Sequence, residues 1–363
     1  MANNILKSKR QLLSAMFLFL LSISLYGQDK SEESSSKKTI NLPSWLTDVK
    51  LSGYGMVQYQ ADDKDPKSEN SFNLRLARIS LDGMIDKKFY WKTQFQFNGN
   101  TSSLGASPRL VDLFCEWQQY DWLRLKVGQF KRPFTFENPM HPITQGFMSY
   151  SQPVSKLSGF SDRTGEQASN GRDIGIQVQG DLFPLSNGRP LLHYQLGVFN
   201  GEGINKKDAD SRKDLIGGFW VMPIAGLRVG MFGWTGSRVI DGESVEKNRY
   251  ALSLSYEHND WTFRSEYIHS QGYGSDRSWG DKSDGYYALA IAPIIKKKCH
   301  VKCRYDLYRR SKSWGSSKTY YELGADYVLS KNFQINVEYA RVNDRTLEHH
   351  NYNMVDVEVD FKF

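Results

Sequence analysis

Beyond residue 25 this chain of 363 residues has no apolar run long enough to cross a membrane as a helix, and its mean hydropathy is negative. A helical span needs about 20 consecutive apolar residues, so insertion by helices is excluded outside the N-terminus. Cysteine is scarce: Cys115, Cys299 and Cys303 are the only three. Cys299 and Cys303 lie four apart on one strand pattern, roughly 13 Å, which is beyond disulfide reach. All three read as small hydrophobes on an apolar face. Their spacing offers no metal site, and the seven histidines are scattered apart from His349-His350, with no zinc-type spacing. No glycine-rich loop opens a helix to cradle phosphate. Basic residues alternate with acids and form no stripe, which argues against nucleic acid as a partner. No nucleophile stands in register with a base, and no cofactor motif is present, so the expectation is not an enzyme.

What the chain does have is alternation. It closes on Val355-Asp356-Val357-Glu358-Val359-Asp360-Phe361-Lys362-Phe363. A period of two puts Val355, Val357, Val359, Phe361 and Phe363 on one face of a strand and the charges on the other. The same pattern recurs along most of the sequence, with too few continuous apolar runs for an ordinary core. Aromatic residues make up 13%, enough for girdles at two membrane interfaces. The fold expected is all-β: a transmembrane antiparallel up-and-down β-barrel, apolar outside and polar within.

Residues 1–27 read as a signal peptide, with Lys7, Lys9 and Arg10 ahead of the apolar stretch Leu12 to Leu25 and small Gly27 before the cut. Residues 28–40 read as a polar periplasmic linker, and 41–363 as the barrel. About sixteen strands can be marked, the even count of a single-chain barrel. On the fourth, Val111, Leu113, Cys115 and Trp117 alternate with Asp112, Phe114, Glu116 and Gln118. In the second the phase shifts, which predicts a bulge near Arg78. Connections after even strands are short; those after odd strands are long and polar, including Gly201 to Arg212 and Thr235 to Glu246. That places both chain ends in the periplasm.

One connection departs from the rest. Residues 131–171 run about 40 residues with little strand pattern, which marks a functional segment. Phe134, Phe136, Phe147, Tyr150 and Phe160 argue for packing rather than disorder. As the third outer loop, folded inward, it would form the constriction. Basic residues with lumenal parity are Lys88, Lys92, Arg124, Lys126, Arg228, Arg264, Lys302 and Arg304, and Lys131 and Arg132 open the loop. These are the candidate pore-lining or constriction residues. The same face carries Asp112, Glu116, Glu266, Asp306, Glu322, Asp326, Glu338, Asp356, Glu358 and Asp360, and the loop itself adds Glu137, Asp162 and Glu166 against Lys156 and Arg163. Charge rings set selectivity only where a pore narrows.

At Val127-Gly128-Gln129-Phe130-Lys131-Arg132-Pro133-Phe134-Thr135-Phe136-Glu137-Asn138 the chain resembles the phosphate-selective porin O and P family. An early Gly53-Tyr54 strand, the Asn73, Arg75 and Arg78 strand and the terminal Phe363 extend that resemblance across the mature chain. It implies a sixteen-stranded, trimeric channel in the outer membrane of a Gram-negative bacterium, linked with phosphate or other anions. Val357, Val359, Phe361 and Phe363 resemble the C-terminal signal read by the barrel-assembly machinery. The function expected is passive diffusion of small hydrophilic solutes, with a preference for anions. The alternative is a structural or adhesive barrel, its lumen plugged, that binds a partner through its outer loops.

Overall fold

The computed structural model describes residues 42–363 apart from 66, 69, 99–107, 159–169, 241–242 and 273–281. The signal peptide and linker expected over 1–40 therefore lie outside the described residues, as do Phe160, Asp162, Arg163 and Glu166. No described helix is long and apolar enough to cross a membrane.

Sixteen antiparallel strands form one closed barrel. They are β1 (Leu46–Asp62), β2 (Asn70–Ile85), β3 (Phe89–Gln96), β4 (Arg109–Tyr120), β5 (Leu123–Lys131), β6 (Arg172–Pro184), β7 (Pro190–Phe199) and β8 (Asp214–Val221). The second half comprises β9 (Leu227–Ile240), β10 (Glu243–His258), β11 (Trp261–Gln271), β12 (Lys282–Ile295), β13 (Cys299–Arg309), β14 (Ser317–Ser330), β15 (Phe333–Asp344) and β16 (Asn351–Lys362). Each pairs with its sequence neighbours, and β1 closes on β16 from Tyr54 opposite Lys362 to Asp62 opposite Met354. Closure leaves no edge strand to template aggregation.

The wall inverts the burial of a water-soluble sheet. On β16, Val355, Phe361 and the terminal Phe363 are 40%, 42% and 64% exposed, whereas Glu358 and Asp360 are 1% and 2% exposed. Cys303 is exposed on the same apolar outer parity, and all three cysteines are free. Side chains facing outward need lipid, and those facing inward satisfy one another.

Two irregularities correct the expected phase. The bulge expected near Arg78 on β2 is present and falls three residues earlier, at Arg75: Met56 pairs with Leu76 and Val57 with Leu74. Phe72 and Leu74 therefore share the outer face with Ile79 and Leu81, and Arg75 and Arg78 both turn inward. On β4 a second bulge leaves Val111 unpaired between Asp112 and Leu110. Val111 is buried, contrary to the outward position its parity suggested. A third difference concerns Thr235 to Glu246. Most of this stretch is strand, since β9 and β10 stay paired up to Ile240 opposite Glu243. Charge and glycine made a projecting hairpin look like a loop.

Candidate functional site

The polar face of the wall surrounds residues 132–158, the described part of the long third loop. Its apolar side chains join wall residues in the larger of the two buried clusters among the described residues. Phe134, Phe136, Phe147, Val154 and Leu157 pack with Phe199, Ile216, Phe232, Trp234 and Tyr287. Phe136 meets Trp220 and Phe232 edge-on, at 5.5 Å in each case. Within the loop a short helix, α1 (Gln152–Leu157), starts with proline in its first turn, where a missing N–H costs nothing.

A loop of irregular backbone has donors and acceptors to satisfy, and charged side chains of the wall supply the partners. Glu266 on β11 accepts the N–H groups of Phe136 and Glu137 at 2.7 and 2.9 Å, and the Tyr287 hydroxyl at 2.8 Å. Glu338 on β15 accepts Met148 N–H at 2.9 Å, and Asp306 on β13 accepts Gln152 N–H at 2.8 Å. Cations serve the carbonyls: Arg264 donates to Gln145 O, Lys302 to Gly146 O and Arg304 to Ser149 O, at 3.0, 2.8 and 2.8 Å. Lys302 also pairs with Glu338 at 2.6 Å, and Arg304 pairs with Glu322 through two bonds of 2.5 and 2.8 Å.

This placement corrects half of the basic track read from parity. Arg264, Lys302 and Arg304 are buried clasps of the loop. Arg132 is fully buried, bonded twice to Asp173 at 2.8 and 3.1 Å and stacked on Trp234. Lys88 sits in the exposed turn between β2 and β3, off the wall altogether. Arg124 pairs with Asp181 at 2.8 Å, and Arg228 reaches Glu257 at 3.3 Å across the face of Phe136. Parity shows only which way a side chain points. It does not show whether a loop carbonyl waits there.

The remaining members converge elsewhere. Lys92, Lys126 and Lys131 line a cavity of about 280 Å³ between β1–β6 and loop residues 139–142. They are joined by Arg78 and Arg172, two arginines that strand parity alone had not placed at a site. Lys131 donates to the carbonyls of Asn138 and Met140 and to the Tyr150 hydroxyl, each at 2.8 Å. Those partners are neutral. Arg78 likewise bonds neutral groups, Gln96 and Tyr54, at 3.0 Å. Lys126 lies over Phe114 and Phe130 and 3.4 Å from Glu116. Asp112 is the one acid among the described residues lining the cavity, and it holds Arg172 at 2.6 and 3.0 Å. The lining thus holds five basic side chains and one carboxylate, with Glu116 behind Lys126 as a second acid.

From the loop side, His141 lines the same cavity, with Tyr54 at 4.5 Å edge-on. Its Nδ1 accepts Ile143 N–H at 3.2 Å, so the neutral ring carries its proton on Nε2. The ring keeps solvent-exposed surface, and partial loss of water around it, then Lys131 and Arg78, pushes this imidazole down to about 4. On the other side of the loop the wall of β13–β16 is rich in carboxylates. Glu358 pairs with Arg75 at 2.8 Å, whereas Asp356 and Asp360 are bonded by the amides of Gln58 and Gln334.

Comparison with known proteins agrees with this architecture. The family described as phosphate-selective porin O and P matches residues 52–215, which shows over that stretch the family likeness read from the sequence. No curated protein matches the chain. Among solved structures, the anion-selective porin from Comamonas acidovorans superposes with a TM-score of 0.67 at 15% identity. The match covers 87% of this chain and 99% of that one. OmpF of Salmonella typhi, in complex with daunomycin, gives 0.64 at 13% identity, over 87% and 97%. The trimer form of OmpT of Vibrio cholerae gives 0.56 at 10% identity, over 87% and 99%. At these identities the likeness is one of fold: this is a porin barrel.

Proposed function

From a porin barrel that matches the phosphate-selective porin O and P family over residues 52–215, we propose an outer-membrane channel of a Gram-negative bacterium. Small hydrophilic solutes diffuse through it passively, with a preference for anions. One observation carries the anion preference: the cavity beside loop residues 139–142 is lined by Arg78, Lys92, Lys126, Lys131 and Arg172, with Asp112 in the lining and Glu116 beside Lys126 as their counter-charges. Fixed cations facing a low-dielectric wall raise the local concentration of anions, and salt weakens the effect. Segment 131–171 serves as the constriction loop in this reading, and solute passes between it and β1–β6.

The reading has further parts. Residues 1–27 are a signal peptide, 28–40 a periplasmic linker, and Val357, Val359, Phe361 and Phe363 the signal for the barrel-assembly machinery. The working unit is a homotrimer in outer-membrane lipid; the trimer form of the Vibrio OmpT barrel is one support for that state. No chemistry is asked of any residue, so the protein is a channel and not an enzyme.

Dense packing of Phe134, Phe136 and Leu157 beneath the loop favours a second reading, a plugged barrel that binds a partner through its outer loops. Purified protein in a planar bilayer separates the two. A porin gives stable single-channel steps, with a reversal potential of anion sign in a potassium chloride gradient. Silence supports the plug.

A further inference from the structure

The cavity that carries the anion preference is only half ionic. Arg78, Lys92 and Arg172 approach it from β2, β3 and β6, while Phe114, Pro139 and Met140 face it from β4 and the loop. Inorganic phosphate is polar on every side. A site for it alone gains nothing from a phenyl ring, a proline and a thioether, which offer no hydrogen bond. Binding sites for organic solutes mix an apolar lining with a few charges placed at one end, and run upward from about 300 Å³. A cavity of about 280 Å³ stands at the lower edge of that range.

Lys126 lies over the rings of Phe114 and Phe130 at 5.1 and 5.4 Å. Such stacking puts the ammonium on the ring faces and leaves the ring edges for an apolar guest. His141 is neutral by the bond its Nδ1 accepts, so the loop side adds a donor without adding charge.

We propose that this passage selects small organic anions with an apolar body, such as aromatic or branched carboxylates, in preference to inorganic phosphate. The carboxylate is held by Arg78, Lys92 and Arg172, and the body lies along Phe114, Pro139 and Met140. This inference rests on the anion-channel reading above and narrows it.

The test uses the full mature protein in planar bilayers, with potassium chloride as the carrier and either benzoate or phosphate added as a blocker at neutral pH. Covering about 50 Å² of apolar surface at about 25 cal/mol per Å² gives roughly a tenfold advantage. Benzoate should therefore half-block the chloride current at about one-tenth of the phosphate concentration. Phe114→Ser should abolish that difference. Met140→Gln, on the loop rather than the wall, should reduce it and keeps the test open if Phe114→Ser does not assemble. Phosphate blocking as well as benzoate, or better, overturns the inference while the anion reading stands. A reversal potential of cation sign in chloride alone overturns the anion reading and this inference with it.

Discussion

The ring of the terminal Phe363 lies over Gly53, and the two residues exchange both backbone hydrogen bonds at 3.0 Å. Phe361 covers Gly55 in the same way two pairs further along β1. A Cβ on Gly53 would stand 2.4 Å from the Phe363 ring, so only glycine lets the terminal aromatic seat there. The seam that closes the barrel is thus formed by the segment resembling an assembly signal. Gly53→Leu should overpack it, costing about 1–3 kcal/mol, and lower the fraction that migrates as folded barrel on an unheated gel. Phe363→Ala in the same chain, refolded in detergent without the assembly machinery, should restore closure, because the methyl frees the space. If the pair assembles no better than Gly53→Leu alone, the glycine serves the backbone and not the ring.

Arg132 makes a second prediction, contrary to the selectivity role its position at the loop entrance suggested. It is fully buried against Asp173, which also accepts Gly201 N–H at 3.0 Å, and its own carbonyl accepts from Asn138. Removing one partner of such a pair strands a buried charge and costs roughly 3–5 kcal/mol. Arg132→Met should lower the denaturation midpoint of refolded protein, and surviving channels should keep the wild-type reversal potential. A shifted potential at unchanged stability would return Arg132 to the pore.

The barrel was legible because side-chain parity on a strand is a local property. Val355 to Phe363 states the inside and the outside of the wall in nine residues. The site was legible only in part. Lys92 and Lys126 were found by parity, yet the same parity selected Arg304 and Lys302, whose charges are taken up by Ser149 O and Gly146 O. Nothing local to β13 announces that a loop from β5 will arrive there. The bulges mattered too: Arg75 and Arg78 both face inward because one extra residue resets the phase of β2, which alternation alone cannot locate to a single position.

Topology gives a third prediction. Long connections after odd strands belong outside in a barrel whose ends are periplasmic, and Lys207 in the connection after β7 is exposed. Lys331, in the two-residue turn before β15, is exposed at the opposite end. Trypsin added to intact cells should cut near Lys206 and Lys207 and spare Lys331. Cleavage at Lys331 in intact cells reverses the orientation.

His141 sets a pH window. Its imidazole is held down to about 4, from an ordinary 6.5, while the unfolded chain protonates normally. Between those values the unfolded state binds the extra proton, so this contribution to stability is full above about pH 6.5 and is lost as pH falls toward 4. Below that, protonation adds a cation to the cavity and removes the Nδ1 lone pair that accepts Ile143 N–H. Wild type and His141→Gln should share one reversal potential from pH 8 to pH 5 and diverge near pH 4, the wild type moving toward anions. Divergence already at pH 6 to 7 would show a histidine titrating normally in open water.

Lys92 offers the sharpest test of where selectivity resides. It lines the basic cavity on β3, pointing the same way as Asp82 and Asp112, and lies across the strand from Asp82. Lys88, four residues earlier on the same hydrophilic parity, ends in the exposed turn. Lys92→Glu changes the local charge by two units in the basic cavity, whereas Lys88→Glu makes the same change in the exposed turn. The first should move the reversal potential toward cations, and the second should leave it near wild type. At 0.1 M salt charges act over about 10 Å, and at 1 M over about 3 Å, so the Lys92→Glu shift should shrink as salt rises. Equal shifts from the two variants would mean that the whole vestibule, and not this cavity, sets the preference.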